Sequence, residues 1–206
     1  MSAAPKGSGG PDHRLERLIF FSDAVIAIAI TLLIIEIHPP HLHSDHDGWT
    51  ALGALWPSFF GFALSFAVIG RFWVGHHTAM SNMSTYDPRL LLPNLAFLMA
   101  IAFMPFATAF LSANLGMQVP AIFYNATLAV LAAFNARVIF VATDPSHRHR
   151  GNDVTTTARL IRARSLAAII AALLAVALAF VAPAISQAAL FTMPLWRRLL
   201  MNRIAA

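Results

Sequence analysis

Six long apolar runs constrain the fold of this chain more than any other feature of its sequence. They cover about residues 17–37, 50–80, 89–112, 119–141, 160–182 and 184–200. Each is close to the ~20 residues that an α-helix needs to cross ~30 Å of hydrocarbon. The runs are continuously apolar, which excludes a membrane β-barrel, because barrel strands alternate between apolar and polar side chains. The sequence therefore predicts an all-α membrane protein with six transmembrane helices.

Composition agrees with this class and excludes several others. Of the 206 residues, 58% are hydrophobic and 11% are charged, which is more apolar than a soluble core of this size requires. The basic residues lie between apolar runs and not together on a soluble face, so nucleic-acid binding is rejected. The chain has no cysteine, which excludes disulfides and thiolate metal sites. No nucleophile–base set or phosphate-binding glycine loop is present, so we expect neither an enzyme nor a cofactor.

The distribution of positive charge predicts the topology, because Lys and Arg are concentrated in cytoplasmic loops. All 14 Lys and Arg residues fall on one side of a six-helix arrangement. The opposite loops, 38–49, 113–119 and 183–187, contain none. We therefore expect both termini in the cytoplasm of a cell-membrane protein. The predicted organisation is a disordered N-terminus (1–13), one six-helix transmembrane domain (14–201) and a short tail (202–206).

The first apolar run contains an aspartate, Asp23, which is costly at membrane depth. Insertion scales assign about 2.5–3.5 kcal/mol to Asp at the centre of a membrane helix, so this carboxylate needs a partner or water. Arg17 lies about 120° away around the helix and is a poor partner. The segment RFWVGHH offers Trp73, His76 and His77 as donors. A contact that clamps two helices is the favoured reading, and a proton or ion ligand is the alternative.

The same helix has a second distinct face. At 100° per residue, four residues fall within about 100° of one another, and Asp23 points about 140° away from the first of them; they are Ile28, Thr31, Leu32 and Ile35. From the residues alone this stripe is more typical of ordinary packing, with the Thr31 hydroxyl bonded to the Ala27 carbonyl.

Several short motifs resemble the endosomal and lysosomal potassium channel family, specifically its prokaryotic single-repeat members. R-x-x-x-F-S-D occurs at residues 17–23, W-x-x-H at 73–76 and PFATAFL at 105–111. The resemblance implies a homotetramer with a central pore lined by the first helix of each subunit. It implies an apolar constriction at Ile28, selectivity at Thr31 and further pore-facing residues at Leu32 and Ile35. The implied bracing network comprises Arg17, Phe21, Ser22, Asp23, Trp73 and His76.

The function expected from this resemblance is passive, potassium-selective conduction. The chain has no T-V-G-Y-G filter, so Thr31 hydroxyls would have to supply oxygens to a partly dehydrated K⁺. The alternative is a proton-coupled secondary transporter that uses Asp23, Glu36 and His76 as a relay. The histidine-rich loop 38–47 has donors that suit zinc or nickel, but its spacing fits no fixed ligand pattern. We expect a solvated loop, no metal site, and no partners other than further copies of the chain and lipid.

Overall fold

The computed structural model describes residues 12–42, 44–145 and 153–205. Seven α-helices lie within these ranges: α1 His13–Leu32, α2 Gly48–Ala54, α3 Trp56–Ser81, α4 Leu91–Ala113, α5 Gln118–Ala142, α6 Asp153–Ala179 and α7 Met193–Ala205. Three 3-10 helices precede α2, α4 and α7, at Asp45–Asp47, Pro88–Leu90 and Pro183–Thr192. Residues 1–11 of the predicted disordered N-terminus lie outside the described residues, whereas Asp12 and His13 form the cap and first residue of α1.

Four of the helices are long and apolar enough to cross a membrane. They are Trp56–Ser81, Pro88–Ala113, Gln118–Ala142 and Thr157–Ala179. Each corresponds to one of the apolar runs in the sequence, although the run 50–80, predicted as one segment, is divided between α2 and α3 at Leu55. The prediction of an all-α membrane architecture is confirmed at this level.

The first apolar run behaves differently from these four. The last 18 residues of α1 still include Glu16, Arg17 and Asp23, so α1 is more charged than the four apolar spans. The α-helix ends at Leu32, before the apolar run is complete. Hydrogen bonds from Ile35 N to Leu32 O and from Ile37 N to Ile34 O, both 3.1 Å, close tighter turns there.

The run at 184–200 was predicted as one helix, and the structure divides it. A 10-residue 3-10 helix, Pro183–Thr192, is followed by α7. Pro194 explains the break, because it has no N–H to donate to the Leu190 carbonyl and an α-helix cannot continue regularly through it. α7 extends to Ala205, beyond the predicted boundary of the tail at residue 202.

The core lies between α4, α5 and α6. Phe97, Tyr124 and Leu131 are completely buried there. α6 contributes mainly alanines, and small side chains allow neighbouring helix backbones to approach closely in a membrane bundle. The Ser65 hydroxyl lies 2.7 Å from the Thr108 hydroxyl and 3.0 Å from the Tyr124 hydroxyl, which links α3, α4 and α5.

Polar contacts also tie the helix ends together at one end of the bundle. The Tyr86 N–H, in the α3–α4 connection, donates to Asp12 Oδ2 at 2.7 Å, while Asp12 Oδ1 accepts from Arg14 N at the start of α1. Arg89 lies 3.7 Å from Asp144, just after α5. The start of α1, the α3–α4 turn and the end of α5 therefore share one end, as the topology predicted from the positive charges requires.

We predict that Asp12→Asn lowers stability in a pH-dependent way. The Tyr86 N–H is the main cause that lowers the pKa of Asp12 below its ordinary value of 3.8. The unfolded chain then takes up the proton first as the pH falls. The stabilising contribution is therefore complete above about pH 4 and is lost as the pH falls through the lower folded-state pKa.

Thermal unfolding of the detergent-solubilised protein between pH 7 and pH 3 measures this effect. The melting temperatures of Asp12→Asn and the parent should differ at pH 7, and the difference should shrink as the pH falls below about 4. Asp47→Asn is the control, because its carboxylate bonds only locally to Ser44. A difference at Asp12 that stays constant with pH would contradict the prediction.

Candidate functional site

One face of α1 is packed against its own subunit. The buried residues recur every three or four positions, as expected for a helix with one buried side; they are Leu15, Leu18, Ser22, Ile26, Ala29 and, at the C-cap, Leu33. This face contacts α3 and α4. α1 is therefore held in place from one side only.

The opposite face of α1 has no partner within the described subunit. Ile28 is 58% exposed and Ile35 is 65% exposed, and Thr31 and Leu32 are exposed beside them. Ile35 lies in the turns beyond the α-helix, so its position is not the one that an ideal helix assigns. This apolar face with one hydroxyl group is where the structure places the residues predicted to line a pore.

The Thr31 hydroxyl uses its hydrogen within its own helix. It donates to the Ile28 carbonyl at 2.8 Å, and not to the Ala27 carbonyl considered from the sequence. A hydroxyl has one hydrogen and two acceptor lone pairs. The bond to Ile28 therefore leaves the oxygen free to accept from, or to coordinate, a group on the exposed face.

A buried chain of hydrogen bonds, which we call the inner chain, consists of His76, Asn94 and Ser22. The His76 Nε2–H donates to Asn94 Oδ1 at 2.8 Å, since an amide oxygen can only accept. Asn94 Nδ2 donates to Ser22 Oγ at 2.9 Å, and the Ser22 hydroxyl donates to the Leu18 carbonyl. His76 also stacks on the Phe97 ring, with 5.0 Å between centroids. The inner chain thus joins α3, α4 and α1, with His76 donating to Asn94 and Asn94 donating to Ser22.

Asp23 belongs to a second group, the outer cluster, with Trp73 and His77. The Trp73 indole N–H donates to Asp23 Oδ1 at 2.8 Å. His77 Nδ1 lies 3.3 Å from Asp23 Oδ2, but this nitrogen has no hydrogen-bond partner of acceptable geometry. The contact is therefore electrostatic and requires a protonated His77. All three side chains are partly exposed, so the outer cluster lies at the subunit surface beside the free face of α1.

The predicted bracing residues therefore do not form one network. The imidazole beside Asp23 is that of His77, whereas the hydrogen-bond partner of His76 is Asn94. Arg17 is exposed and forms no hydrogen bond or ion pair with the residues that the structure describes, and Phe21 is 50% exposed. The bracing roles of these residues stay predictions.

Asn94 is not among the residues predicted from the sequence, although the sequence contains a signal for it. It is an amide in the otherwise apolar run 89–112, and lone amides in membrane helices usually bond across to another helix. His77 is among the donors that the sequence offers to Asp23, but the W-x-x-H resemblance implies His76 for the bracing set.

The other polar candidates are not brought together. Glu36 is exposed beyond the end of α1, away from Asp23 and His76. Within residues 12–42, 44–145 and 153–205, no group of three or more His, Asp or Glu side chains is arranged to hold a metal ion. His43 of the histidine-rich loop lies outside these ranges.

Comparison with known proteins decides the family. Residues 17–105, which include most of α1, all of α3 and the inner chain, match a sequence model described as endosomal/lysosomal potassium channel TMEM175. A potassium channel of Streptomyces collinus is 36% identical over 177 residues, covering 84% of this chain and 86% of that protein. The chain belongs to the TMEM175 family. This is a family of ion channels and not of enzymes.

Two further TMEM175 proteins extend the comparison. The crystal structure of a lysosomal potassium-selective channel TMEM175 homolog from Chamaesiphon minutus is similar with a TM-score of 0.75 and 31% identity. That match covers 92% of this chain and 98% of the other. The mouse endosomal/lysosomal proton channel TMEM175 is 33% identical over 100 residues, which are 45% of this chain but 20% of the mouse protein.

We predict that Asn94→Ala destabilises this TMEM175 protein by about 1–3 kcal/mol, because it leaves the buried His76 N–H without an acceptor. Denaturant titration of the purified protein, followed by intrinsic fluorescence, measures the change. Asn82→Ala is the matched control, since its amide bonds only to the Thr78 carbonyl in its own helix. Equal losses from both substitutions would contradict a special role for the inner chain.

Proposed function

We propose that the protein is a homotetrameric, potassium-selective channel that conducts K⁺ passively through a pore lined by α1. The observation that supports this most is the free face of α1, which is apolar, contains one hydroxyl and has no partner in its own subunit. The membership of the TMEM175 family and the relatives described as potassium channels support the choice of ion.

The free face also supports assembly. One α1 helix cannot enclose a path, whereas four copies around an axis can, and closed rotational symmetry is the rule for soluble homo-oligomers. The exposed Phe20 and Phe21 side chains flank the same face and suit contacts between neighbouring subunits. The partly exposed outer cluster then lies near such a contact, where Asp23 holds Trp73 in place.

The proposed pore combines an apolar barrier with a layer of hydroxyl groups. Rings of Ile28, Leu32 and Ile35 repel water and close the path by dewetting. A ring of Thr31 hydroxyls supplies oxygens to a K⁺ ion that has lost part of its hydration shell. The Thr31 bond to the Ile28 carbonyl fixes the rotamer and leaves the oxygen lone pairs directed away from the helix.

We propose that the inner chain and the outer cluster brace this pore helix. His76, Asn94 and Ser22 hold its buried side, and Trp73 fixes Asp23. Arg17 has no partner among the described residues, and we propose that it braces the helix through a contact with a neighbouring subunit.

The proposed subunit crosses the membrane six times, within residues 14–201, and both termini are cytoplasmic. α1 is the first crossing, despite its charges. The sixth crossing combines the 3-10 helix and the first turns of α7: at ~2.0 Å per residue the 3-10 helix spans about 20 Å, and α7 adds ~1.5 Å per residue. The grouping of Lys and Arg on one side supports the cytoplasmic placement.

Proton movement is a second candidate, favoured by the description of the mouse relative as a proton channel. The proton-coupled transporter considered from the sequence needs Asp23, Glu36 and His76 to exchange protons. The contacts do not support such a relay, because His76 bonds to Asn94 and Glu36 is exposed beyond α1. Reversal potentials in planar bilayers under K⁺, Na⁺ and pH gradients separate the two functions. Current that follows only the pH gradient would overturn the potassium channel.

We expect Ile28→Asn to increase basal K⁺ conductance. Four amides in place of four branched apolar side chains would retain water and lower the dewetting barrier. Single-channel recording of the reconstituted protein measures the effect. Leu173→Asn in α6 is the matched control, because Leu173 is 55% exposed compared with 58% for Ile28. Parental conductance in a normally assembled Ile28→Asn protein would show that α1 does not line the pore.

Thr31→Val should reduce the preference for K⁺ over Na⁺ and leave assembly intact. Valine keeps the shape of threonine but removes the oxygen, and a polar group that loses its partner costs about 1–3 kcal/mol, so we expect a several-fold change in the permeability ratio. The readout is the reversal potential under a K⁺/Na⁺ gradient. Thr127→Val provides the comparison, since Thr127 makes the same kind of bond, to the Phe123 carbonyl, within α5. Unchanged selectivity at Thr31 would exclude the hydroxyl layer.

A further inference from the structure

A cavity of about 420 Å³ lies on the side of α3 formed with α5, α6 and α7. Its walls are mainly apolar and include Leu64, Val68, Phe72 and Ile139. Its lining on α3 extends from Leu64 to Thr78, about 20 Å along the helix axis at ~1.5 Å per residue. The cavity is therefore long and narrow enough to accept a hydrocarbon chain. It does not involve the free face of α1.

Three arginines from three helices point into the same cavity. Arg71 is on α3, Arg164 on α6 and Arg197 on α7. The charges of Arg164 and Arg197 lie close enough to act on Arg71 by electrostatic repulsion. Arg164 Nε is buried and has no hydrogen-bond partner among the described residues. Like charges that line one cavity repel one another and destabilise the fold unless an anion lies between them.

Arg162, two residues before Arg164 in α6, has hydrogen-bond acceptors for its guanidinium group within the subunit. The Arg162 guanidinium donates to the Thr143 hydroxyl at 2.7 Å and to the Thr143 carbonyl at 2.9 Å, at the C-terminus of α5. It also lies over the Phe140 ring, 5.0 Å from the centroid. No contact of this kind is described for the three cavity arginines.

No ion pair joins any of the three arginines to a carboxylate among the described residues. No Asp or Glu is among the described residues that line the cavity. The segments outside the description, 1–11, 43, 146–152 and 206, contain no Asp or Glu in the sequence. Asp153 begins α6 about 16 Å along the helix from Arg164 at ~1.5 Å per residue. The described lining of the cavity therefore leaves the place of a counter-ion to a group from outside it.

A buried amide adds a second polar feature to the same cavity. Asn135, on α5, is 3% exposed, and its Oδ1 has no hydrogen-bond partner among the described residues. A buried polar group without a partner is costly, and a group bound in the cavity with a hydroxyl or N–H would satisfy it.

We propose that this cavity binds an anionic phospholipid, with the phosphate held by Arg71, Arg164 and Arg197 and an acyl chain along the apolar wall of α3. Guanidinium groups bind phosphate through paired, charge-assisted hydrogen bonds. A hydroxylated headgroup such as phosphatidylglycerol carries a hydrogen-bond donor that suits Asn135 Oδ1, which lines the same cavity. Basic pockets between membrane helices on the cytoplasmic side bind anionic headgroups generally. The lipid site includes no residue of α1, so lipid binding can be measured without measuring ion conduction.

The test uses the full-length protein in nanodiscs or detergent with added phosphatidylglycerol, phosphatidylcholine or inorganic phosphate. Native mass spectrometry measures retained lipid, and thermal unfolding measures stabilisation. Phosphatidylglycerol should bind in preference to phosphatidylcholine. Arg197→Gln should weaken phosphatidylglycerol binding about tenfold or more, the loss expected for a hydrogen bond to a charged group. Arg198→Gln is the matched control, since Arg198 is the next residue in α7 and does not line the cavity.

A lipid-free measurement separates lost binding from misfolding. Without anionic lipid, Arg197→Gln should melt at or above the parental temperature, because it removes repulsion among the three arginines. A lower melting temperature there would overturn the proposal, because Arg197 would then have a structural partner. Equal effects of Arg197→Gln and Arg198→Gln on lipid binding would also overturn it.

Ala67→Trp distinguishes a lipid from a free anion. Ala67 lines the cavity without contributing charge, so an indole there should block the acyl chain and spare the arginines. We expect loss of phosphatidylglycerol binding in this variant. If inorganic phosphate stabilises the parent as strongly as phosphatidylglycerol does, and Ala67→Trp keeps its lipid, the ligand is a free anion and the lipid assignment is wrong.

Discussion

The hydrogen-bond chain from His76 through Asn94 to Ser22 is the interaction on which the position of α1 depends. A bilayer offers no water to a polar side chain, so each one needs a partner within the protein. His76, Asn94 and Ser22 are almost completely buried; His76 Nε2 donates to Asn94 and Asn94 donates to Ser22, whereas His76 Nδ1 has no partner among the described residues. Because the three residues come from three helices, satisfying them fixes α1 against α3 and α4.

Because α1 packs against α3 and α4 with one face only, its opposite face remains exposed. A helix packed all round would be ordinary core, but α1 exposes Ile28 and Thr31 on the face opposite its buried stripe. Asp23, next to Ser22, points to the subunit surface and meets Trp73 there. Ser22 and Asp23, which are consecutive in the motif, thus have different roles. Ser22 holds α1 against its own subunit, and Asp23 lies where a neighbouring subunit would pack. The proposed tetramer follows from this asymmetry together with the TMEM175 family membership.

The same rule about unpaired polar groups explains the arginine-lined cavity. In this membrane protein the Asp23 carboxylate accepts a hydrogen bond from Trp73, and Arg162 donates to the Thr143 carbonyl at the C-terminus of α5. Arg71, Arg164 and Arg197 converge on one cavity from three helices. None of them forms a hydrogen bond or an ion pair with a carboxylate or a carbonyl among the described residues. A lipid phosphate supplies the negative charge that none of the described lining residues of the cavity provides. Lipid then becomes part of the folded subunit.

The sequence by itself determined the membrane class, the four clearly apolar spans and the family motif, because these depend on hydrophobicity and on residues close together in the chain. It also placed Ile28, Thr31 and Leu32 on one face of α1, since helical periodicity is a local property. It could not determine that 184–200 divides at Pro194, that His77 and not His76 meets Asp23, or that Asn94 completes the inner chain. Those outcomes were decided by the tertiary structure, because a buried polar side chain takes its partner from whichever helix packs beside it, and helix packing depends on the whole chain.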